Sequence, residues 1–444
     1  MSQSFAVTNR LFLSISIPMT LAYISTPLLG LVDTAVIGQI DDAALLGGLA
    51  VGSVIFDIVF VTFNFLRSGT TGLAAQALGA GNALEIKAVL FRAVLLGLAC
   101  GLILFAVHPP IVSVGLSLMG GSDEVQAAAS AYFSIRILAA PLTLANYAVL
   151  GWFLGLGKAK TGLFIQTLLN GLNIILSVWF VLGLDWGITG VAAATAISEL
   201  ITFFVGGALA YANMKGTRQP SWSDVLERHK LVAMMALNRD IMIRSFTLLF
   251  AFAFFMARSA DQGDTILAAN AVLEKFLLIA GYFLDGNATA AEQIAGRAVG
   301  ARHRPAFKRA VKLSLLWGFG LGGAATLIFF GVGPYIVDFL TVNEAVRSVS
   351  RDYLFWACLG PLVGTLAYQM DGVFIGATWS KDMRNMMLIS LAVFLASYYA
   401  LFPVLGNHGL WLAMLIFLGA RGISLLIMCG IREEKQFAVV PAHP

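Results

Sequence analysis

From Leu11 to Val32 the chain runs for 22 residues without a charge. A helix crossing a hydrocarbon layer of ~30 Å needs roughly 20 apolar residues, so this run is long enough to span a bilayer. It is also too long, and wrongly flanked, for a cleaved signal peptide. Strands span lipid only as a closed barrel, whose short segments alternate apolar and polar residues; the runs here are apolar all round, which selects helices. Further runs follow the first, giving expected spans at 11–37, 44–66, 88–107, 125–154, 161–184, 187–212, 241–257, 266–290, 308–340, 346–376, 386–405 and 409–430. Only 12% of the residues are charged against 59% apolar, about half the charged fraction of a soluble domain, so lipid is the solvent for most of this surface. The expected fold class is an all-α membrane protein of twelve transmembrane helices.

Charge sets the topology. Lys and Arg resist translocation, so cytoplasmic loops are rich in them. With the N-terminus in the cytoplasm, 21 of the 28 Lys and Arg fall on that side, against three (Arg258, Arg347, Arg351) outside. Both termini are therefore expected in the cytoplasm. The longest polar interval, 213–240, reads as a cytoplasmic linker between an N-terminal half, 1–212, and a C-terminal half, 241–430, with 431–444 as a cytoplasmic tail. Its stretch from Trp222 to Leu237 is amphipathic and suited to lie partly along the headgroups. The net charge of +4 is divided among short loops and not gathered on one face, so no nucleic acid is expected as a partner. Cys100, Cys358 and Cys429 sit singly in apolar runs without CxxC spacing, which supports neither a disulfide framework nor a zinc site.

The two halves are related. The loop Ala77-Leu-Gly-Ala-Gly-Asn-Ala-Leu-Glu-Ile-Lys87 lies beside Ala298-Val-Gly-Ala-Arg-His-Arg-Pro-Ala-Phe-Lys308 when Gly79 faces Gly300, 221 positions on. The same offset places Tyr147, Gly151, Phe153 and Gly155 opposite Tyr368, Gly372, Phe374 and Gly376. Two distant segments sharing one offset indicate an internal duplication, a common construction in secondary transporters. Six spans per half give both halves the same orientation. The paired glycines at a spacing of four are expected to let helices approach closely.

A carboxylate at bilayer depth costs roughly 2.5 to 3.5 kcal/mol on insertion scales, so each needs a partner, a watery cavity or a proton. Asp33 ends the uncharged first run, and Pro18 and Pro27 within that run each remove a backbone donor, so the helix should bend readily. Asn170, Asn173 and Ser177 fall on one helical face and, with Thr195, are expected to supply hydrogen bonds to Asp33. In the second half Glu274, Asp285 and Asp371 are the candidates for an ion or substrate site, and Asp371 stands where the first half has Leu150. Asp57 and Glu199 are further intramembrane carboxylates, with Arg67 and Arg421 as possible counter-charges.

The segments Pro27-Leu-Leu-Gly-Leu-Val-Asp-Thr-Ala-Val-Ile-Gly38, Thr70-Thr-Gly-Leu-Ala-Ala-Gln-Ala-Leu-Gly79, Leu237-Asn-Arg-Asp-Ile-Met242 and Asp371-Gly-Val-Phe-Ile-Gly-Ala377 closely resemble the DinF branch of the multidrug and toxic compound extrusion (MATE) transporters. The resemblance covers essentially the whole chain. It implies an inner-membrane antiporter with two pseudo-symmetric six-helix bundles around a central V-shaped cleft, exporting amphiphilic, often cationic compounds in exchange for H⁺ or Na⁺. It further implies that Asp33 is the protonation site and Pro18 the bend, with Asn173, Ser177 and Thr195 in the accompanying polar network. Tyr147 is a further candidate for the polar network and cavity of the first half. The family pattern has an aspartate where this chain has Ser177, which cannot titrate.

The combined expectation is a proton-coupled efflux antiporter, working as a monomer in the plasma membrane by alternating access of its halves, with H⁺ as coupling ion and no cofactor or resident metal. The alternative is Na⁺ coupling, with Asp371 and neighbouring carbonyls as hard oxygen ligands. A flippase for lipid-linked glycans is less favoured, because it would want a cationic cavity while most Lys and Arg here lie in loops. No HExxH, P-loop or GxSxG pattern is present to support an enzyme.

Overall fold

A computed structural model describes residues 6–40, 42–215 and 218–438. Twelve long helices dominate it: α1 Asn9–Ile37, α2 Ala43–Gly79, α3 Ala83–Met119, α4 Asp123–Gly155, α5 Ala159–Gly183, α6 Gly187–Asn213, α7 Arg228–Ala260, α8 Asp264–Gly300, α9 Arg304–Leu340, α10 Glu344–Gly376, α11 Ser380–Leu405 and α12 Asn407–Gln436. Among the described residues eleven candidate spans are long and apolar enough to cross a membrane. The remaining long helix, α10, has 33 residues but carries Arg347, Arg351, Asp352, Gln369 and Asp371 along its length. Large apolar side chains such as Leu31, Ile175, Phe204 and Leu327 stand exposed, as a surface solvated by lipid requires.

The helices outrun the apolar spans. At ~1.5 Å per residue, the 37 residues of α3 extend about 55 Å, well past the hydrocarbon, because polar residues continue the hydrogen-bonded ladder once the chain leaves the apolar layer. The same effect carries α12 to Gln436, into the stretch expected as a tail, whose residues 439–444 lie outside the described residues. It also starts α7 at Arg228, so much of the interval 213–240 is helical. The part before α7 is tied down: Lys87 donates to the carbonyls of Met214 (2.9 Å) and Arg218 (3.1 Å), and Arg92 pairs with Glu85 (2.7 Å) while donating to the carbonyls of Val225 and Asp224. Trp222, Leu226, Val232 and Met235 of this interval are exposed, whereas Val225, Met234 and Leu237 are buried.

The duplication is visible in the backbone. Left-handed residues close corresponding turns in the two halves, always 221 positions apart: Gly81 (φ 67°) and Arg302 (φ 50°), Gly157 (φ 72°) and Thr378 (φ 56°), Asp185 (φ 55°) and Gly406 (φ 54°). The next residues after the first pair cap α3 and α9 alike, Asn82 accepting from the Glu85 amide and His303 Nδ1 from the Ala306 amide, each satisfying a donor the helix leaves open. The paired glycines also meet equivalent neighbours. A Cβ on Gly151 or Gly155 would strike the carbonyls of Arg67 or Thr71 on α2, and one on Gly372 or Gly376 those of Ala288 or Glu292 on α8. Between helices in lipid, where apolar burial gives little driving force, such backbone approach supplies the packing.

The chain divides into two compact units, one of Met1–Thr20 with Arg239–Pro444 and the other of Leu21–Asn238. Both α1 and α7 are thereby divided, at Thr20/Leu21 and Asn238/Arg239. The first unit packs around Phe255, Phe276, Trp411 and Phe417, the second around Trp152, Phe153 and Tyr132. Within the first unit the buried Asn270 is fully bonded: its amide exchanges hydrogen bonds with Asn407 (2.8 and 3.0 Å), donates to Ser259 (2.7 Å) and accepts from the Trp411 indole (2.9 Å).

Candidate coupling and substrate site

Asp33 lies near the C-terminal end of α1, four residues before the helix stops, and is 8% exposed. Facing it is the polar edge of α5, where residues 166, 170, 173 and 177 recur at three- and four-residue intervals. Ser177 Oγ stands 2.9 Å from Asp33 Oδ1 and 3.2 Å from Asn173 Oδ1. Its single proton serves one of these acceptors at a time. Asn173 donates to Thr195 Oγ1 on α6 (2.7 Å), and Thr195 donates back to the Val191 carbonyl (3.1 Å). One turn earlier on α5, Asn170 donates to Ser25 of α1 (2.8 Å) and accepts from Gln166 (3.2 Å). Asp33, Ser177, Asn173 and Thr195 thus form one continuous chain across α1, α5 and α6.

A second polar group occupies the same unit. Arg136 of α4 donates to Tyr132 (2.5 Å) and lays its guanidinium 3.8 Å over the Phe56 ring. Asp33, Asp57 and Glu199 all stand within its electrostatic reach. Glu199, buried, accepts from Asn146 (2.6 Å), and Tyr147, beside Asn146, lies in the same field. Tyr147 lies in the fields of both Arg136 and Arg67, so two guanidiniums share this part of the unit with the three carboxyl groups. Asn146 and the cation–π contact were not singled out by sequence patterns; a lone amide in an apolar run was the available signal.

The second half is built differently. Asp371 of α10 is 5% exposed and its Oδ2 receives both Arg244 of α7 and Arg421 of α12. Arg244, one of the 21 Lys and Arg assigned by charge to the cytoplasmic side, belongs to α7 and reaches Asp371. Asp285 on α8 lies within electrostatic reach of Arg421 and Tyr368. Glu274 stands beside Lys275 and makes no hydrogen bond or ion pair with Asp371 among the described residues. Pro18 sits in α1 between Ser16 and Thr20, and the helix runs through it unbroken. Ser16 donates to Asn287 of α8 (3.3 Å), which donates to Gln369 of α10 (2.8 Å), which in turn accepts from Ser314 of α9 (2.8 Å). This buried amide network was not expected from the sequence.

The positions that correspond to the Asp33 chain under the 221-residue offset carry aromatic rings. Phe254 replaces Asp33, Tyr398 replaces Ser177 and Phe394 replaces Asn173. They keep the same contacts, with Phe254 edge-on to Tyr398 (5.0 Å between centroids) and to Phe394 (5.7 Å). At this place in the repeat, the hydrogen-bonded acid therefore belongs to the first half alone.

Two stretches of the chain, residues 18–179 and 241–399, each match the family model described as MatE. The chain belongs to the MATE family. The two MATE matches are displaced by nearly the offset at which the loops and left-handed residues repeat. Over 93% of this chain and 90% of the relative, it is 38% identical to DNA damage-inducible protein F of Escherichia coli (strain K12). It is 23% identical to the probable multidrug resistance protein NorM of Oceanobacillus iheyensis, covering 96% and 97% of the two chains. Its fold superposes with a TM-score of 0.87 on the outward-facing conformation of a multidrug resistance MATE family transporter, at 18% identity and 97% and 96% coverage. The chain is accordingly a multi-pass membrane transporter of the multidrug efflux type, not an enzyme.

Proposed function

We propose that this MATE protein is a proton-driven antiporter that exports amphiphilic cations across the plasma membrane, with both termini in the cytoplasm and a monomer as the working unit. The observation that carries the reading is the carboxylate of Asp33, buried in α1 and held by a hydroxyl that has a second acceptor within reach. With Asp33 charged, the Ser177 proton points to Oδ1. Once Asp33 takes a proton, the carboxyl becomes a donor to Ser177 Oγ, and the serine proton turns to Asn173 Oδ1. Proton occupancy at Asp33 is thereby coupled to the Asn173 and Thr195 bonds that join α5 to α6, while Pro18 and Pro27 leave α1 short of two backbone hydrogen bonds.

Export follows if the charged state of Asp33 favours capture of a cation from inside and the protonated state favours its release outside, since coupling requires only that proton and cargo prefer different states. The carboxylates of Asp57 and Glu199, with Tyr147 and the rings near Arg136, suit a lipophilic cation. Sodium coupling at Asp371 is less supported, because two guanidiniums already hold that carboxylate. In proteoliposomes with an imposed pH gradient, Asp33→Asn is expected to abolish uphill export of a fluorescent lipophilic cation. Full retention, or export that follows a sodium gradient at constant pH, rejects the proposal.

A further inference from the structure

The start of α9 carries more positive charge than its neighbours balance. Arg302, Arg304, Lys308, Arg309 and Lys312 fall within eleven positions that hold no acidic residue. Glu433 of α12 accepts Arg304 (2.7 Å) and Lys308 (3.5 Å). Arg302, Arg309 and Lys312 are exposed and make no ion pair among the described residues. The first half builds the same turn and the same helix start without them, having Gly81, Ala88 and Phe91 at the corresponding positions 221 residues earlier. The cations that α3 does carry there, Lys87 and Arg92, are 3% exposed and engaged by linker carbonyls and Glu85. Arg302 is also kept at a left-handed position where Gly81 would be free of strain.

Positive charge in this turn serves topology, but topology is satisfied by a cation anywhere in the loop. The placement of Arg309 and Lys312 is narrower. Residues 309, 312, 316, 319, 327 and 330 recur at helical spacing along α9, and Leu316, Phe319, Leu327 and Phe330 among them are exposed apolar side chains, as on a face turned to lipid. After Lys312 come 25 residues without a charge, 313–337, enough to cross the hydrocarbon. The two cations therefore stand at the head of the lipid-facing stripe, where the apolar layer ends. At ~1.5 Å per residue Arg309 lies about 4.5 Å beyond Lys312, and long basic side chains at such a boundary extend towards the phosphates.

We infer that Arg309 and Lys312, with Arg302 beyond them, form a binding site for the headgroup of an anionic phospholipid whose chains lie along Leu316 and Phe319. The phosphodiester sits between a guanidinium and an ammonium three residues apart on one helical face. Arg309 offers parallel N–H groups to two phosphate oxygens, and Lys312 adds a point charge at the apolar boundary. A zwitterionic lipid brings a cation of its own to the same place and gains less. The site uses none of the groups assigned to proton coupling and goes beyond the export proposed above.

Equilibrium binding tests the site without any gradient, so its failure and a failure of coupling at Asp33 read out separately. The full-length protein in a neutral detergent is titrated with dioctanoyl phosphatidylglycerol and with dioctanoyl phosphatidylcholine, and bound lipid is counted by native mass spectrometry. Phosphatidylglycerol is expected to bind saturably and about tenfold more tightly. Arg309→Gln and Lys312→Gln should each weaken it about fivefold, with folding checked by melting temperature. Arg302→Gly should weaken it too while leaving the protein no less stable, a combination that lost packing would not give. Lys160→Gln removes an exposed cation at the start of α5, in the other unit, and is expected to change the affinity by less than about twofold. Equal affinity for the two lipids overturns the proposal, as does unchanged affinity in any of the first three variants or an equal loss in Lys160→Gln.

Discussion

Ser177 Oγ lies 2.9 Å from the carboxylate of Asp33 and 3.2 Å from the side-chain carbonyl of Asn173, so a hydroxyl that cannot itself titrate stands between an acid and an amide. The distances are close enough that the hydroxyl can change acceptor by rotation alone, without movement of either helix.

Replacing that hydroxyl tests its part directly. Ser177→Ala removes a donor to the charged form of Asp33, which makes that form less favourable. Export driven by a pH gradient is expected to persist, with the pH of half-maximal transport moved upward by about one unit. A pH profile in proteoliposomes that stays in place would show that the serine does not act on Asp33.

The close approaches of α4 to α2 and of α10 to α8 predict matched costs. A Cβ at Gly151 or Gly372 collides with a backbone carbonyl that has no room to withdraw, whereas at Gly171 nothing lies within 4 Å. Gly151→Ala and Gly372→Ala should each destabilise by about 1 to 3 kcal/mol, and Gly171→Ala should have little effect on the folded packing. Thermal unfolding of the detergent-solubilised protein measures all three.

Asn270 offers a test of stability in the other unit from the Asp33 chain. Truncation to alanine leaves the Trp411 indole N–H and the Asn407 amide N–H without their acceptor in a buried place. A loss of about 2 to 4 kcal/mol is expected, larger than for most single substitutions. It should appear as a lowered melting temperature.

The turn at Arg302 predicts a gain. Its φ of 50° is a conformation that costs a residue with a Cβ about 1 to 2 kcal/mol, and the corresponding Gly81 avoids that cost. Part of the relief is offset by the greater freedom glycine has when unfolded. Arg302→Gly is expected to raise stability by up to about 1 kcal/mol, read from the same unfolding assay.

Much of this molecule is legible in its sequence because lipid enforces simple rules. An uncharged run such as Leu11 to Val32 has few fates, and the spacing of Asn170, Asn173 and Ser177 puts all three on one face by helical geometry alone. The helix ends were less legible: α7 begins at Arg228 and α12 runs to Gln436, because apolar runs report the hydrocarbon layer and not the helix. Least legible were pairings between distant residues. Nothing in the neighbourhood of Arg244 announces Asp371, and Ser16 and Asn287 come together only because Gly286 lets α8 lie against Thr20 of α1.

The repeat of left-handed turns at a fixed separation carries a lesson about chimeras. A protein made from the first half twice would inherit a workable path for its backbone, with each corner turned by a residue able to turn it. It would also carry two copies of Asp33 and no counterpart of Arg244, Arg421 and Asp371. Assembly of such a hybrid into a folded but uncoupled carrier is the outcome to expect, since the duplicated chain has kept its architecture while its halves have specialised beyond exchange.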